Sequence, residues 1–251
     1  MDMRVVGHRG NSAVAPQNTL AAFEAAWRAG ADCVEMDVQL TADGRVVVIH
    51  DDTVDATTDG AGAVAGLTLE AIRALDAGSW FSPAFAGQRV PTFEEVVAFL
   101  RRRDIDLLLE LKDVWSPDDV ALCTEPLLAA GLAPRVVVQS FEAVTVGALR
   151  DAAPELRRGL LLEAVPPDLD DLADELGLAA VNPDGALLAT DPTFVARRHA
   201  AGQEVAVWTL DEPWEWQTAE RLGVDAVITD CPDRLRGWLV HTAGRECLAL
   251  L

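Results

Sequence analysis

Two histidines, three carboxylates, an arginine and a lysine stand where short apolar runs end. His8-Arg9-Gly10 follows one run, Glu35-Met36-Asp37 lies within a second, and Glu110-Leu111-Lys112 closes a third. Side chains at i and i+2 of a strand share a face, about 6.6 Å apart. Glu35 and Asp37 therefore point the same way, as do Glu110 and Lys112. Three carboxylates converging on one rim repel each other, and a hard cation relieves that repulsion. Oxygen donors suit Mg²⁺ or Ca²⁺, with Mn²⁺ as a further candidate. Lys112 is the only lysine among 20 basic residues, and that rarity invites a chemical reason. A metal beside two cations and two histidines is the equipment for cleaving a phosphodiester. The metal polarises the phosphoryl group, Arg9 and Lys112 neutralise its developing charge, and His8 and His50 divide acid and base duties near neutral pH.

His50 reaches this rim only if the chain doubles back. Asp43-Gly44 between two β-like arms is a strong hairpin signal. Read as a two-residue turn, it makes Asp37 and His50 cross-strand neighbours. Val46–His50 then folds above the main sheet as a return arm.

The elements that must position these residues alternate along the chain. β-like runs at Arg4–His8, Cys33–Val38, Asp106–Leu111, Arg135–Gln139, Arg158–Leu162, Ala179–Asn182, Glu204–Trp208 and Asp225–Thr229 are separated by helical periodicity. Thr92-Phe93-Glu94-Glu95 and Ser116-Pro117 signal helix starts, and Ser140 and Asp230 read as caps directly after strands. Alternation of this kind implies a parallel sheet. Eight units in 251 residues imply one closed (β/α)₈ barrel, a TIM barrel, spanning 1–251, with active residues at the C-terminal strand ends. Residues about 39–90 break the rhythm: a hairpin, then a stretch at 51–90 rich in Asp, Thr, Gly and Ala with one short helix at Thr68–Leu75. So long a segment above the barrel reads as a lid or specificity insertion.

Composition narrows the partners. A net charge of −21 argues against nucleic acid and against stable association with an anionic membrane. There is no apolar run of membrane-spanning length and no leader-like start, so the expected location is the cytoplasm. Cys33, Cys123, Cys231 and Cys247 are too scattered for a zinc site or a disulfide framework and read as free thiols. The sequence leaves the oligomeric state open.

These motifs, taken in order, resemble the glycerophosphodiester phosphodiesterase family along nearly the whole chain. The resemblance rests on His8-Arg9-Gly10, Pro16-Gln17-Asn18-Thr19, Glu35-Met36-Asp37-Val38, Thr41-Ala42-Asp43-Gly44, Val48-Ile49-His50-Asp51, Glu110-Leu111-Lys112, Gln139-Ser140-Phe141, Val207-Trp208-Thr209 and Ile228-Thr229-Asp230. It implies one divalent cation held by Glu35, Asp37 and Glu110, acid–base catalysis by His8 and His50, and phosphate contacts from Arg9 and Lys112. Trp208 is a further candidate substrate contact. The implied reaction converts a small glycerophosphodiester into glycerol 3-phosphate and an alcohol, with a glycerol hydroxyl attacking first to give a cyclic phosphate. Two departures stand out: the family commonly has Glu where this chain has Gln17, and Arg where it has Ala56. Two other readings are a phospholipase-type relative with a different head group and a non-catalytic barrel that binds a phosphorylated ligand. The second would be favoured by a missing rim histidine or carboxylate, and none is missing.

Overall fold

A computed structural model of the protein describes the backbone of residues 3–249 and the side chains of 3–242; Met1, Asp2 and the Cys247 thiol fall outside the described parts. Eight strands form a parallel barrel: β1 (Arg4–Gly7), β2 (Cys33–Leu40), β4 (Asp106–Leu111), β5 (Val136–Ser140), β6 (Arg157–Leu162), β7 (Ala180–Pro183), β8 (Ala206–Val207) and β9 (Ala226–Thr229). The ninth, β3 (Val46–Val48), is antiparallel to β2 and lies off the ring. The ladder runs β7-β6-β5-β4-β2-β1-β9-β8, and the parallel bridges Ala180–Glu204 and Asp184–Trp208 join its two ends. All eight expected barrel strands are present. β8 is shorter than expected, because only Ala206 and Val207 pair with β9.

The period-2 alternation of the strands sorts the core into two parts. Val5, Val34, Met36, Leu107, Leu109, Leu111, Val136, Val138 and Val227 face outward and pack under the helices. Val6, Cys33, Leu108, Ala226 and Ile228 face inward and fill the lower barrel. Two residues further along, the inward positions become polar. Asp37 pairs with Glu110 in register, and Glu110 with Gln139. Asn182 Nδ2 donates to Gln139 Oε1 at 2.6 Å across the ring. The same alternation that fills the barrel thus delivers carboxylates to its top.

The hairpin differs from expectation by one residue. Val38 pairs with Val48 and Leu40 with Val46, and the Ile49 amide donates to the Asp37 carbonyl at 3.0 Å. Asp37 therefore faces Ile49, not His50. Of Asp43 and Gly44, only Gly44 has positive φ (65°), whereas a tight two-residue turn of the type expected needs positive φ at both. The chain makes a three-residue turn instead, Ala42-Asp43-Gly44, closed by the Thr41 amide on the Arg45 carbonyl at 2.9 Å.

Beyond β3 the insertion carries one short α-helix, Leu69–Ala74, capped by Thr68 as its sequence suggests, and two single 3₁₀ turns, Val64–Gly66 and Pro83–Phe85. It builds a small core of its own: Val47, Ile49, Val54, Val64, Ile72, Ala77 and Val90 pack together. The chain then returns beside its point of departure, where the Val48 amide donates to the Pro91 carbonyl at 3.0 Å and Val47 bridges to Thr92.

Candidate active site

Glu35, Asp37 and Glu110 are all buried, and their carboxylate oxygens lie within 4.8 Å of one another. Burial first, then the neighbouring carboxylates, raises the Glu35 carboxyl well above its ordinary range. The same causes raise Glu110 to about 7, although Lys112 works against them. Lys112 Nζ lies 2.9 Å from Glu110 Oε1 and offsets one of the three negative charges. Three buried carboxylates crowded into one all-oxygen cluster are the donor set a hard divalent cation fits. Among the described residues, no other cluster of His, Cys, Asp or Glu has this arrangement.

The protonation of this cluster gives a sign that can be checked in the metal-free protein. Glu110 binds its proton more readily folded than unfolded, so its contribution to stability is complete below about pH 4.5 and is lost as the pH rises through about 7. Removing the charge with Glu110→Gln should abolish that loss. In EDTA the melting temperature of the variant should exceed that of the wild type by a margin that widens between about pH 5 and about pH 8. A margin independent of pH would contradict the assignment.

The turn after β1 wraps the cluster. Arg9 has φ 55° and donates its backbone amide to Glu35 Oε2 at 2.8 Å. Its guanidinium lies 3.4 Å from Asp37 Oδ2 and donates to Gln17 Oε1 at 2.8 Å. Gln17, the departure noted above, therefore holds the arginine with a neutral oxygen. Gly10 permits this turn. Its φ is +90°, and a Cβ there would meet the Ala22 backbone at 2.6 Å, because the first helix packs directly beneath it. Asn18 Nδ2 donates to Asp37 Oδ2 at 2.8 Å and orients it.

Each histidine is backed by an aspartate. His8 Nδ1 lies 2.7 Å from Asp230 Oδ1, which also accepts from Ser12 Oγ at 2.8 Å. Burial opposes the Asp230 charge, but these hydrogen bonds outweigh it and hold the carboxyl below its ordinary range. Asp230 is thus not the helix cap its position suggested. Ser140 stands two residues before the cap position, Glu142: its hydroxyl accepts the Glu142 amide at 3.1 Å and donates to the Leu111 carbonyl at 2.8 Å, tying β5 to β4. His50 Nδ1 lies 2.8 Å from Asp51 Oδ1. A carboxylate only accepts, so in both pairs the proton sits on Nδ1 and Nε2 is left to exchange one.

His50 reaches the mouth despite the altered register because the chain leaves the ladder after Ile49, whose amide makes its last bond to β2. Gln39 Nε2 donates to the carbonyls of His50 and Asp51, each at 2.8 Å, and curls the backbone inward. Burial lowers the pKa of His50 while the charge of Asp37 raises it, with Arg9 and Lys112 acting in the same sense as burial.

Burial also opposes the Lys112 charge, yet Glu110 and Asp37 hold its ammonium above the usual lysine value. Phe141 stands 6.0 Å from Nζ, and Trp208 meets Phe141 edge-on at 5.5 Å. Trp208 Nε1 donates to the Asn182 carbonyl at 2.8 Å. Trp208 is therefore linked to Lys112 through Phe141. Sequence reasoning assigned no role in the site to Asp230, Asp51, Asn18 or Phe141. All four carried a signal, since each lies within a quoted motif.

Comparison with known proteins follows the same lines. A sequence profile of the "Glycerophosphoryl diester phosphodiesterase family" matches residues 8–234. The chain is 36% identical over 237 residues to a glycerophosphodiester phosphodiesterase of Caldanaerobacter subterraneus, covering 94% of this chain and 97% of the relative. A solved Oleispira antarctica phosphodiesterase, in complex with the product sn-glycerol-3-phosphate, superposes with a TM-score of 0.89 at 29% identity, covering 94% of this chain and 96% of that one. A glycerophosphodiester phosphodiesterase from Agrobacterium tumefaciens superposes with a TM-score of 0.80 at 31% identity, covering 92% and 98% of the two chains.

Proposed function

Since the chain belongs to the glycerophosphoryl diester phosphodiesterase family, we propose that it hydrolyses small glycerophosphodiesters to glycerol 3-phosphate and an alcohol. The observation that carries this reading is one barrel mouth holding three buried carboxylates within 4.8 Å of one another, two aspartate-backed histidines and two cations.

Glu35, Asp37 and Glu110 would hold one divalent cation, Mg²⁺ or Ca²⁺ by their oxygen chemistry, with Mn²⁺ also admissible. Bound there, it withdraws electron density from the phosphoryl group. Arg9 and Lys112 grip the phosphate oxygens and neutralise charge that grows in the transition state. One histidine removes the proton from an attacking glycerol hydroxyl. The other gives a proton to the departing alcohol as its P–O bond breaks. Water then opens the cyclic phosphate with the two roles exchanged, which returns both histidines to their starting state. The aspartates behind the rings fix the tautomer each step needs.

We read residues 1–251 as one domain and 51–90 as the element that shapes the substrate site. Among the described residues, no helix is long and apolar enough to cross a membrane. Cys33, Cys123 and Cys231 are buried and free, which suits action in the reducing cytoplasm.

The test is release of glycerol 3-phosphate from a panel of glycerophosphodiesters. Activity should vanish in excess EDTA and return with Mg²⁺, Ca²⁺ or Mn²⁺. Full activity in EDTA would end the metal-dependent reading, and no release under any condition would end the hydrolase reading.

A further inference from the structure

An open cleft of about 410 Å³ runs outward from His8 and Arg9, within the size range of small-molecule sites. It lies between the loops that follow β1, β8 and β9, across the barrel from β4 and β5, which carry Lys112 and Phe141. A phosphodiester has two alcohol halves. With the phosphate held between Arg9 and Lys112, and His8 taken as the histidine that protonates the departing oxygen, the half that leaves would extend past His8 into this cleft. This step rests on the hydrolase reading above.

The walls indicate what that half should be. Asp211 and Asp230 bring two negative charges, and Arg9 and Arg234 bring two positive ones. Asp230 is engaged by His8 and Ser12. Arg9 faces Asp37 and Gln17. Arg234 has a long ion pair, 4.0 Å to Glu212, and stands 5.9 Å from the Trp216 ring centre. A cationic head group would meet Arg234, and an anionic one would meet Asp211. Neither sign gains across a lining so balanced. A neutral head group rich in hydroxyls finds a charged donor or acceptor on each wall, the geometry in which hydrogen bonds are strongest. The hydrogen bonds that Asp211 accepts, from Thr229 Oγ1 at 2.7 Å and the Asp230 amide at 2.8 Å, both run to Oδ1.

One apolar surface completes the cleft. Trp80 reaches it from the insertion, 43% exposed. Its Nε1 donates to the Ala77 carbonyl at 3.0 Å and its ring meets Phe81 edge-on at 5.7 Å, so the indole is fixed before any ligand arrives. A rigid aromatic face opposite paired charges can take the C–H face of a polyol or sugar-like ring while its hydroxyls turn to the opposite wall.

We propose that this cleft selects substrates whose leaving alcohol is a neutral polyol, such as glycerol, a cyclitol or a hexose. Trp80 stacks on its carbon skeleton, and Asp211 and Arg234 bind its hydroxyls. Trp80 and Arg234 are specificity residues that take no part in the bond cleavage.

The experiment measures kcat/KM for glycerophosphoinositol, glycerophosphoglycerol and glycerophosphocholine with the metal-loaded wild type, Trp80→Ala and Arg234→Gln. The polyol diesters should be preferred over the choline diester by on the order of tenfold or more, the size of effect a few matched contacts give. Each variant should erase that preference through a rise in KM for the polyol diesters, leaving kcat and the choline diester nearly unchanged. Equal or better use of the choline diester by the wild type would overturn the proposal, as would variants that slow all substrates alike. Wild-type protein that hydrolyses none of the three would overturn the hydrolase reading, and with it this one. Uniform hydrolysis of all three would overturn the head-group assignment alone.

Discussion

His50→Ala is expected to lower turnover by about 10²–10⁴-fold, the usual worth of one general acid or base, without unfolding the barrel. His50 belongs to none of the three buried apolar clusters; it hangs where the chain leaves β3, half-buried, with Asp51 behind its ring. Its removal opens no cavity among apolar side chains, so far-UV circular dichroism and the melting temperature should stay close to those of the wild type. The pH dependence provides a stricter readout. If His8 and His50 supply the two limbs of a bell-shaped profile, the variant should lose one limb and keep the other. A folded His50→Ala protein with near-native turnover would remove His50 from the mechanism.

Lys112→Arg preserves charge, yet a loss on the order of 10²-fold is expected, because misplacement of a catalytic contact by about 1 Å has effects of that size. The ammonium is a compact group with 16% of its side chain exposed, 2.9 Å from Glu110 Oε1 and bounded by Phe141 on another side. A planar guanidinium at the end of a different stem cannot adopt the same position beside a phosphate without moving one of these neighbours. The loss should fall on kcat for every glycerophosphodiester alike, which separates it from the substrate-dependent effects at Trp80 and Arg234. Wild-type rates in the variant would show that any nearby positive charge suffices.

The barrel was legible in the sequence because each strand and helix states its own period. Inward Cys33, Glu35 and Asp37 alternate with outward Val34, Met36 and Val38 in the residue types themselves. The carboxylate cluster followed from that alternation, since i, i+2 spacing fixes a shared face. The hairpin register did not follow. Asp-Gly is compatible with a two- or a three-residue turn, and the choice is made elsewhere: the Ala42 amide donates to Leu67 and the Leu69 amide to Asp43, each at 2.9 Å. The histidine partners divide in the same way. Asp51 is adjacent to His50, but Asp230 lies 222 positions from His8 and meets it only because barrel closure sets β9 beside β1. Local spacing carries no trace of such a contact. Asp230 therefore looked like a helix cap, a role its type and place also allow.

The insertion leaves and re-enters the barrel at nearly one point. Val48 hydrogen-bonds to Pro91 and Val47 bridges to Thr92, so everything between them is a closed excursion with its ends already joined. The cost of closing such a loop grows only slowly with its length, and its packing is largely self-contained. Changes within it can accumulate with little strain on the strands below. His50 sits at the stem of this excursion and Trp80 well out along it. Heredity can therefore treat the two separately. If the outer segment sets the head group as proposed, descendants of this chain could exchange or resize it and shift which alcohols they accept, while the stem passes on His50 and the barrel passes on its carboxylates. On the proposed reading, new selectivities would arise by trial in this one stretch of about forty residues, a length loops of compact domains rarely reach, with the reaction itself held constant.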